Sequence, residues 1–319
     1  MPPYSAALAR ATACPVYGVV TLLRWFWSGR CVSRQEVEND NNPEVGSMTT
    51  HDRDQLFAGS IPQLYDELLV PLIFDAHAAD LAHRLTTRKV SALLEVAAGT
   101  GALTRALAAR LPPSAAIIAT DLNQPMLDRA AARGTARPVQ WRQADAMQLP
   151  FADASFDAVV CQFGVMFFPD RVRAYAEARR VLRSGGVFLF NVWDRIENNE
   201  FAATVQQAIA ALYPGDPPRF LARTPHGYFE AHVIRRDLAA GGFDTMAEIV
   251  TVPARSRSDS ARGPAIAYCH GTPLRGELEA RGSDALSRAT DAAAAAMAQR
   301  FGQAAVDGLI QAHVVAVTK

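Results

Sequence analysis

Two acidic side chains and a run of small residues are spaced in a way that suits nucleoside binding. Glu95 ends one apolar run, the small residues Ala97 to Gly101 follow it, and Asp121 ends a second apolar run. This order predicts a strand, a tight turn, a helix and a second strand. Small residues let the backbone approach a ligand closely, and the helix start offers free amides. Asp121 is placed to accept hydrogen bonds from a ribose diol, although spacing alone does not identify the nucleoside.

Polar residues also follow the later strands. The predicted order is strand Val90–Val96, helix Gly101–Arg110, strand Ala115–Asp121, helix Gln124–Arg133, strand Val139–Gln143, strand Phe156–Cys161, helix Arg171–Leu182 and strand Val187–Val192. This alternation predicts a parallel sheet with helices on both faces. Ligands of such sheets bind beyond the carboxyl ends of the strands, so Glu95, Asp121, Asp145 and Gln162 are expected to meet at one rim.

This series, from Phe57 to Phe190, resembles the class I S-adenosylmethionine-dependent methyltransferases, in particular the branch of ubiquinone/menaquinone-biosynthesis methyltransferases. The resemblance is weaker from there to Lys319. It implies an α/β fold with a doubly wound, seven-stranded, mostly parallel sheet. Thr245–Val252 and His313–Thr318 are the expected last two strands, the final one antiparallel. The implied cofactor is S-adenosyl-L-methionine.

The resemblance implies a role for each motif residue. It places Glu95, Gly99 and Gly101 around the methionine part of the cofactor, and Asp121 at the ribose hydroxyls. Ala97 stands where the family usually has the first glycine of the loop, and its methyl group restricts positive φ. Binding is still expected, because a related branch tolerates alanine there.

The adenine is expected to lie between the second and third strand ends. The resemblance packs Leu122 on the ring, lets Asp145 accept from its amino group, and sets Ala146 and Met147 at its edge and face. Gln162 completes the pocket for the amino-acid part. In relatives the segment before the first strand lies over the cofactor, which makes Phe57 and Tyr65 expected contacts of that lid.

The chain divides into an extension and one enzyme domain. Residues 1–47 are irregular in composition and predict a disordered or mis-assigned N-terminal extension, whereas 48–319 predict the methyltransferase domain. A helical cap is expected at about 255–302, before the last strand. This insertion and Glu197–His232 are expected to carry acceptor specificity, because long insertions near strand ends are usually functional.

Composition narrows the partners. The 319 residues are 50% hydrophobic and carry 32 basic and 32 acidic side chains, so no net field favours nucleic acid or an anionic membrane. No segment predicts membrane insertion. The four cysteines lack metal-ligand spacing, which predicts no metal site and free, buried thiols in a reducing cytoplasm. The sequence does not indicate an oligomeric state.

Transfer of a sulfonium methyl group depends mainly on placing the nucleophile in line with it. A base is needed only for a hydroxyl or carbon-acid acceptor. The candidate groups are His226, Tyr228, His232, His270 and Asp194, none of which the sequence singles out. Phe163, Met166, Phe167 and Phe168 suit an apolar or aromatic small-molecule acceptor, methylated at O, N or C, and suit core packing equally well.

Two other functions remain compatible with the motifs. Gly99 and Gly101 with Asp121 also suit a nicotinamide-dependent oxidoreductase, although Thr104 stands in place of the third glycine of that fingerprint. A non-catalytic relative that binds cofactor or a partner protein would also keep the binding acids.

Overall fold

The structure, a computed structural model, describes Gln55, Phe57 and residues 59–319. The N-terminal extension predicted for 1–47, and the boundary at Met48, lie outside the described residues and stay predictions. Within the described part, no helix is long and apolar enough to cross a membrane.

Strands and helices alternate through the first two thirds of the described chain. The strands are β1 (Ala92–Glu95), β2 (Ala116–Asp121), β3 (Gln140–Gln143), β4 (Phe156–Gln162), β5 (Leu182–Trp193), β6 (Glu248–Ser258) and β7 (Val306–Thr318). The helices are α1 (Ile61–Leu64), α2 (Asp75–Thr86), α3 (Ala102–Arg110), α4 (Gln124–Arg133), α5 (Arg171–Val181), α6 (Glu200–Leu212), α7 (Phe220–Arg223), α8 (Ala231–Ala240), α9 (Arg262–His270), α10 (Leu274–Glu279) and α11 (Ala285–Phe301).

The seven strands form one sheet in the order β3-β2-β1-β4-β5-β7-β6. Strands β1 to β5 are parallel, and β7 runs antiparallel to both β5 and β6. The predicted fold class is therefore confirmed. An antiparallel seventh strand between β5 and β6 departs from the dinucleotide-binding order 3-2-1-4-5-6 and so disfavours the oxidoreductase alternative. Strand order reverses between β1 and β4, which fixes where a ligand crevice forms.

Apolar side chains fill both faces of this sheet. Leu93 and Leu94 are successive residues of β1, point to opposite faces, and are both fully buried. Leu93 belongs to a core with side chains of α2 and α3, such as Leu85 and Leu107, whereas Leu94 belongs to a larger core with β4 and β5. Both faces of the central strands are thus buried, which explains the unbroken apolar sequences of these strands.

The last two strands are longer than their sequence pattern indicates. The predicted Thr245–Val252 is in fact Glu248–Ser258, and the predicted His313–Thr318 begins at Val306. Both errors arise because β6 and β7 pair with each other beyond the sheet body, as in Arg255 opposite Leu309. The start of the predicted insertion at 255 therefore falls within β6, and helices occupy Arg262–Phe301 instead.

One continuous helical run, from Ile61 to Thr86, precedes β1. Between α1 and α2, the ten residues Tyr65–Phe74 form a π-helix that contains Pro71. Proline cannot donate the backbone hydrogen bond of an α-turn, and its ring crowds the carbonyl four residues earlier. Long π-helices are rare, and π-turns concentrate at functional sites.

Candidate functional site

The loop between β1 and α3 adopts three left-handed backbone conformations. Ala97 has φ +53°, Gly99 +56° and Gly101 +80°. The amide of Ala98 donates to the carbonyl of Thr120 at 2.8 Å, which joins this loop to β2. The small-residue run is thus required by the turn, and Ala97 carries a side chain in a conformation that usually favours glycine.

Asp121 lies at the end of β2 and fastens that loop. Its Oδ2 accepts from the amide of Gly99 at 2.8 Å, and its Oδ1 accepts from the amide of Asn123 at 2.8 Å. Only 7% of the residue is exposed. Burial raises the pKa of this carboxyl above its ordinary value, while the backbone hydrogen bonds act in the opposite direction. Each oxygen keeps lone pairs for a further donor.

Glu95 lies deeper, at the end of β1. It is fully buried, and its Oε2 accepts from the Thr104 hydroxyl at 2.7 Å. Its Oε1 has no hydrogen-bond partner among the described residues. Burial raises the pKa of Glu95 to about 8. A buried acceptor without a donor is uncommon in folded proteins.

A cavity opens beyond the carboxyl ends of β1 to β5, at the reversal of strand order. Its wall contains nine of the predicted cofactor residues, namely Tyr65, Ala97, Gly99, Asp121, Leu122, Asp145, Ala146, Met147 and Gln162. The structure does not bring Glu95 or Gly101 to that wall. Gly101 instead provides the left-handed position from which α3 begins. Direct contact of either residue with a cofactor stays a prediction.

The β4 side of the cavity is formed by a strained turn. Gln162 donates its side-chain amide to the carbonyl of Phe74 at 2.9 Å, and Phe163 has φ +49°. The amide of Phe163 donates to the Asn191 side chain at 2.8 Å. A methyl group on Gly164 would lie 2.6 Å from the Cβ of Ala97. The turns after β1 and β4 therefore meet with no room between them.

An aromatic cluster forms the other end of the cavity. Phe163 stacks on Trp193 with ring centroids 3.7 Å apart, and Tyr65 stacks on Phe74 at 4.9 Å. Tyr65 and Phe74 are nine positions apart, which in an α-helix puts them on opposite faces. A π-turn closes on the fifth residue, so roughly nine residues make two turns and both rings share the cavity face. The sequence could not predict this, because its apolar spacing reads equally well as α-helix.

The candidate bases differ in whether they line the cavity. His226 lines the cavity, whereas Tyr228, His270 and Asp194 do not. The Tyr228 hydroxyl accepts a hydrogen bond from the Tyr175 hydroxyl and donates one to the carboxylate of Asp237. His270 hydrogen-bonds Thr290 at 2.9 Å, away from the cavity. The Asp194 carboxylate faces β7 and lies 3.1 Å from Nε2 of His313.

Several wall residues were not among the predicted site residues: Gln55, Leu69, Ile73, Phe74, Asn199, Phe220, Leu221, Pro225, Tyr268 and Thr272. Glu197–His232 supplies four of them, Asn199, Phe220, Leu221 and Pro225, and the α9–α10 region supplies two, Tyr268 and Thr272. Phe163, Phe167 and Phe168 line the cavity as their sequence position indicates, whereas Met166 is buried elsewhere in the core. For the residues that were missed in these two segments, the sequence indicated only the segment and not the individual residue.

Comparison with known proteins agrees with this fold. The family described as "Methyltransferase domain" matches residues 94–190. The ubiquinone/menaquinone biosynthesis C-methyltransferase UbiE of Ralstonia pickettii is 30% identical over 166 residues, which cover 48% of this chain and 68% of that protein. The demethylmenaquinone methyltransferase of Lactobacillus johnsonii is 41% identical over 97 residues, 29% of this chain and 40% of that protein. The chain thus spans between less than half and about two thirds of these relatives.

A solved structure shares the fold at low identity. Phosphoethanolamine N-methyltransferase 2 of Haemonchus contortus, in complex with phosphomonomethylethanolamine and S-adenosylhomocysteine, aligns with a TM-score of 0.53 at 15% identity. The alignment covers 86% of this chain and 61% of that one. Fold, cavity and relatives together define a class I S-adenosylmethionine-dependent methyltransferase. Within that class, the chain belongs to the UbiE-like family.

Proposed function

We propose that this protein transfers the methyl group of S-adenosylmethionine to an uncharged, apolar or aromatic small molecule. The observation that supports this most directly is the division of one cavity into a polar half and an aromatic half. The polar half holds Asp121 and Asp145 at strand ends, and the aromatic half holds Phe163, Trp193 and Phe220.

The polar half suits a nucleoside. Asp121 is held by two amides and keeps lone pairs for a ribose diol. Leu122 is 47% exposed although it lines the cavity, one of two large apolar side chains that the described residues leave in that state. An adenine ring would cover it, since burial of apolar surface is favourable. In this proposal Asp145 accepts from the adenine amino group, and Oε1 of Glu95 faces the amino-acid end through the loop.

The aromatic half suits an acceptor without charge. Among the described residues that line the cavity there is no Lys, Arg or Glu. An anionic acceptor would find no cation there, and burying an unpaired charge is costly. Aromatic walls instead give a flat ring large contact area. Glu197–His232 supplies five wall residues and 255–302 supplies two, so we assign acceptor specificity chiefly to the first segment and secondarily to the second.

In this mechanism the bound cofactor supplies an activated methyl group, and the chain supplies position and exclusion of water. The left-handed turns at Ala97 and Phe163 fix the two loops that face each other across the strand-order reversal. The Tyr65–Phe74 π-helix covers the crevice from above with apolar side chains. Near-attack placement of nucleophile and methyl group accounts for much of the rate in such reactions.

The test is a pair of measurements on Asp121→Ala and the parent. Calorimetric titration with S-adenosylhomocysteine should show affinity weaker by about 2–3 kcal/mol, the scale of charge-assisted hydrogen bonds with their desolvation. A labelled-methyl assay on a metabolite extract then asks for turnover. Asp244→Ala, at an exposed acid that is not part of the cavity wall, serves as the matched control. Unchanged affinity in Asp121→Ala would refute the ribose assignment, and binding without any transfer would favour a non-catalytic relative.

A further inference from the structure

Two carbonyl groups near the end of the π-helix accept hydrogen bonds from side chains of the sheet. The Ser256 hydroxyl, on β6, donates to the carbonyl of Leu72 at 2.8 Å. The Gln162 side-chain amide, on β4, donates to the carbonyl of Phe74 at 2.9 Å. Ser256 has no exposed surface and is not part of the cavity wall. Its hydroxyl therefore holds the backbone of a helix that is 184 positions away in the chain.

The change from π-helix to α-helix explains why side-chain donors are needed at this point. In the π-helix an amide donates to the carbonyl five residues earlier, as the amide of Asp75 does to Val70. In α2 the span is four residues. Where the span falls by one, the following amides skip one carbonyl. A buried carbonyl without a donor is costly, so the structure supplies donors from the sheet beside the junction.

The bond from Ser256 favours the π-helix over an α-helix in the same segment. A continuous α-helix through Tyr65–Phe74 would have no junction of this kind, and its amides would reach the carbonyl of Leu72 without help from the sheet. Removal of the hydroxyl would thus penalise one of two helical forms and not the other. An interaction that differs between two forms shifts the balance between them.

The form of the helix determines where the ring of Tyr65 lies. Leu81 and Leu85 of α2 have no exposed surface, so a change of helical form displaces the earlier end of the run. Tyr65 is at that end. In the π-helix its ring stacks on Phe74, and a methyl group on Gly99 would lie 4.0 Å from its Cε1. The ring therefore lies beside the loop of the polar half of the cavity.

Phe74 reaches the other half of the cavity. Its ring centroid is 5.7 Å from that of Phe163 and 6.0 Å from that of Trp193. The stacked pair of Tyr65 and Phe74 thus extends from the polar half to the aromatic half. In an α-helix these two residues would lie on opposite faces, and this continuous wall would be lost.

We propose that Ser256 is a positioning residue for the proposed methyl transfer. Its hydroxyl holds the run before β1 in the π-helical form that places Tyr65 and Phe74 together on the cavity wall. Ser256 touches neither cofactor nor acceptor and acts on cofactor affinity through Tyr65. This inference rests on the proposed function, because it assigns the Tyr65 side of the cavity to S-adenosylmethionine.

Calorimetric titration with S-adenosylhomocysteine tests whether Ser256 acts through Tyr65. Ser256→Ala should weaken binding about tenfold, the scale of one buried carbonyl left without its donor. The double variant with Tyr65→Leu should bind within about twofold of Tyr65→Leu alone, because residues that act as a unit are not additive. An affinity of Ser256→Ala equal to that of the parent, or effects that multiply in the double variant, would overturn the proposal.

The matched control is the same substitution two positions along β6. The Ser258 hydroxyl donates to the carbonyl of Ser260 at 3.0 Å, in the turn after the strand, and so does not hold the π-helix. Ser258→Ala should bind S-adenosylhomocysteine as the parent does. A loss of affinity equal to that of Ser256→Ala would mean that any change in β6 disturbs the site, which contradicts a specific role of Ser256.

A nuclear Overhauser effect between selectively labelled rings reports the helical form directly. The ring protons of Tyr65 and Phe74 should show it in the parent and in Ser258→Ala, and it should be lost or strongly reduced in Ser256→Ala. Its absence from the parent, or its full retention in Ser256→Ala, overturns the proposal.

Ser256→Cys covers the case in which Ser256→Ala does not fold, since a thiol has nearly the size of the hydroxyl but is a weak donor. It should lose the ring contact and affinity in the same direction, and parental behaviour would contradict the proposal. Failure of the parent to bind S-adenosylhomocysteine would refute the proposed function instead. The ring contact would still test the helical form, so the two failures are distinguishable.

Discussion

The two halves of the cavity are built by different means. The polar half is formed by turns at strand ends, in which carboxylates are held by backbone amides a few positions away, as Asp121 is by Asn123. The aromatic half is formed by side chains from distant segments, such as Tyr65, Phe163 and His226. A cavity wall held by backbone hydrogen bonds keeps its shape when a side chain is substituted. A wall formed by side chains changes its shape with each substitution. This contrast lets one fold hold a constant cofactor and vary its acceptor.

The contact between the halves is the point at which a small change should have the largest effect. In Gly164→Ala the new methyl group would lie 2.6 Å from both the Ala97 Cβ and the Cys161 Sγ. We expect the free energy of unfolding to fall by about 3 kcal/mol, because neither turn can retreat in a close-packed core. Denaturant unfolding measures it. Gly276→Ala, in a helix with open space around the position, should be neutral or stabilising. A Gly164→Ala protein as stable as its parent would mean that the halves are not in rigid contact.

A second variant tests the buried acid behind the polar half. The pKa of Glu95 is raised to about 8 by burial, so the folded protein keeps a proton that the unfolded chain releases above its ordinary pKa. The stability of the parent should therefore fall as pH rises from about 4.5 to about 8. Glu95→Gln cannot ionise and should flatten this slope, with a gain of about 2 kcal/mol near pH 8 relative to pH 4. Denaturant unfolding curves of both proteins, measured between about pH 4 and pH 8, test this difference in stability. Parallel pH profiles for the two proteins would show that Glu95 is ionised in the folded state.

The smallest expected effect concerns the left-handed alanines. Ala97 and Ala154 have φ +53° and +51°, the first at the cavity and the second in an exposed loop. Each change to glycine relieves backbone strain and should stabilise by about 1 kcal/mol. Thermal unfolding compares them. If only Ala154→Gly is stabilising, the methyl group of Ala97 contributes packing against Gly164 that outweighs its strain.

The polar half was largely predictable from sequence, whereas the aromatic half was predictable only in part, at Phe163, Phe167 and Phe168. Asp121 and Gln162 end apolar runs, and Asp145 closely follows the predicted strand Val139–Gln143, so local pattern and the resemblance both indicate their place at the rim. Tyr268 and Thr272 reach the same cavity from a helical segment far along the chain, and only packing brings them there. The π-helix could not be predicted from the sequence either, because the spacing of its apolar residues fits an α-helix equally well. His226 could be proposed as a candidate, but its tautomer depends on a carbonyl that only the fold places beside it.

The helical run before β1 has a mechanical consequence for ligand exchange. Its first part covers the cavity, while its last part, α2, inserts Leu81 and Leu85 with no exposed surface into the core beside β1. Swinging the whole run outward would extract those side chains, at a cost of several kcal/mol. The part that can open for exchange is therefore the segment before α2, whose backbone at Gln55 and Phe57 is hydrogen-bonded to the Asn123 side chain. This cover is anchored at α2. The residence time of a bound ligand should therefore depend on how firmly the segment before α2 is held in place.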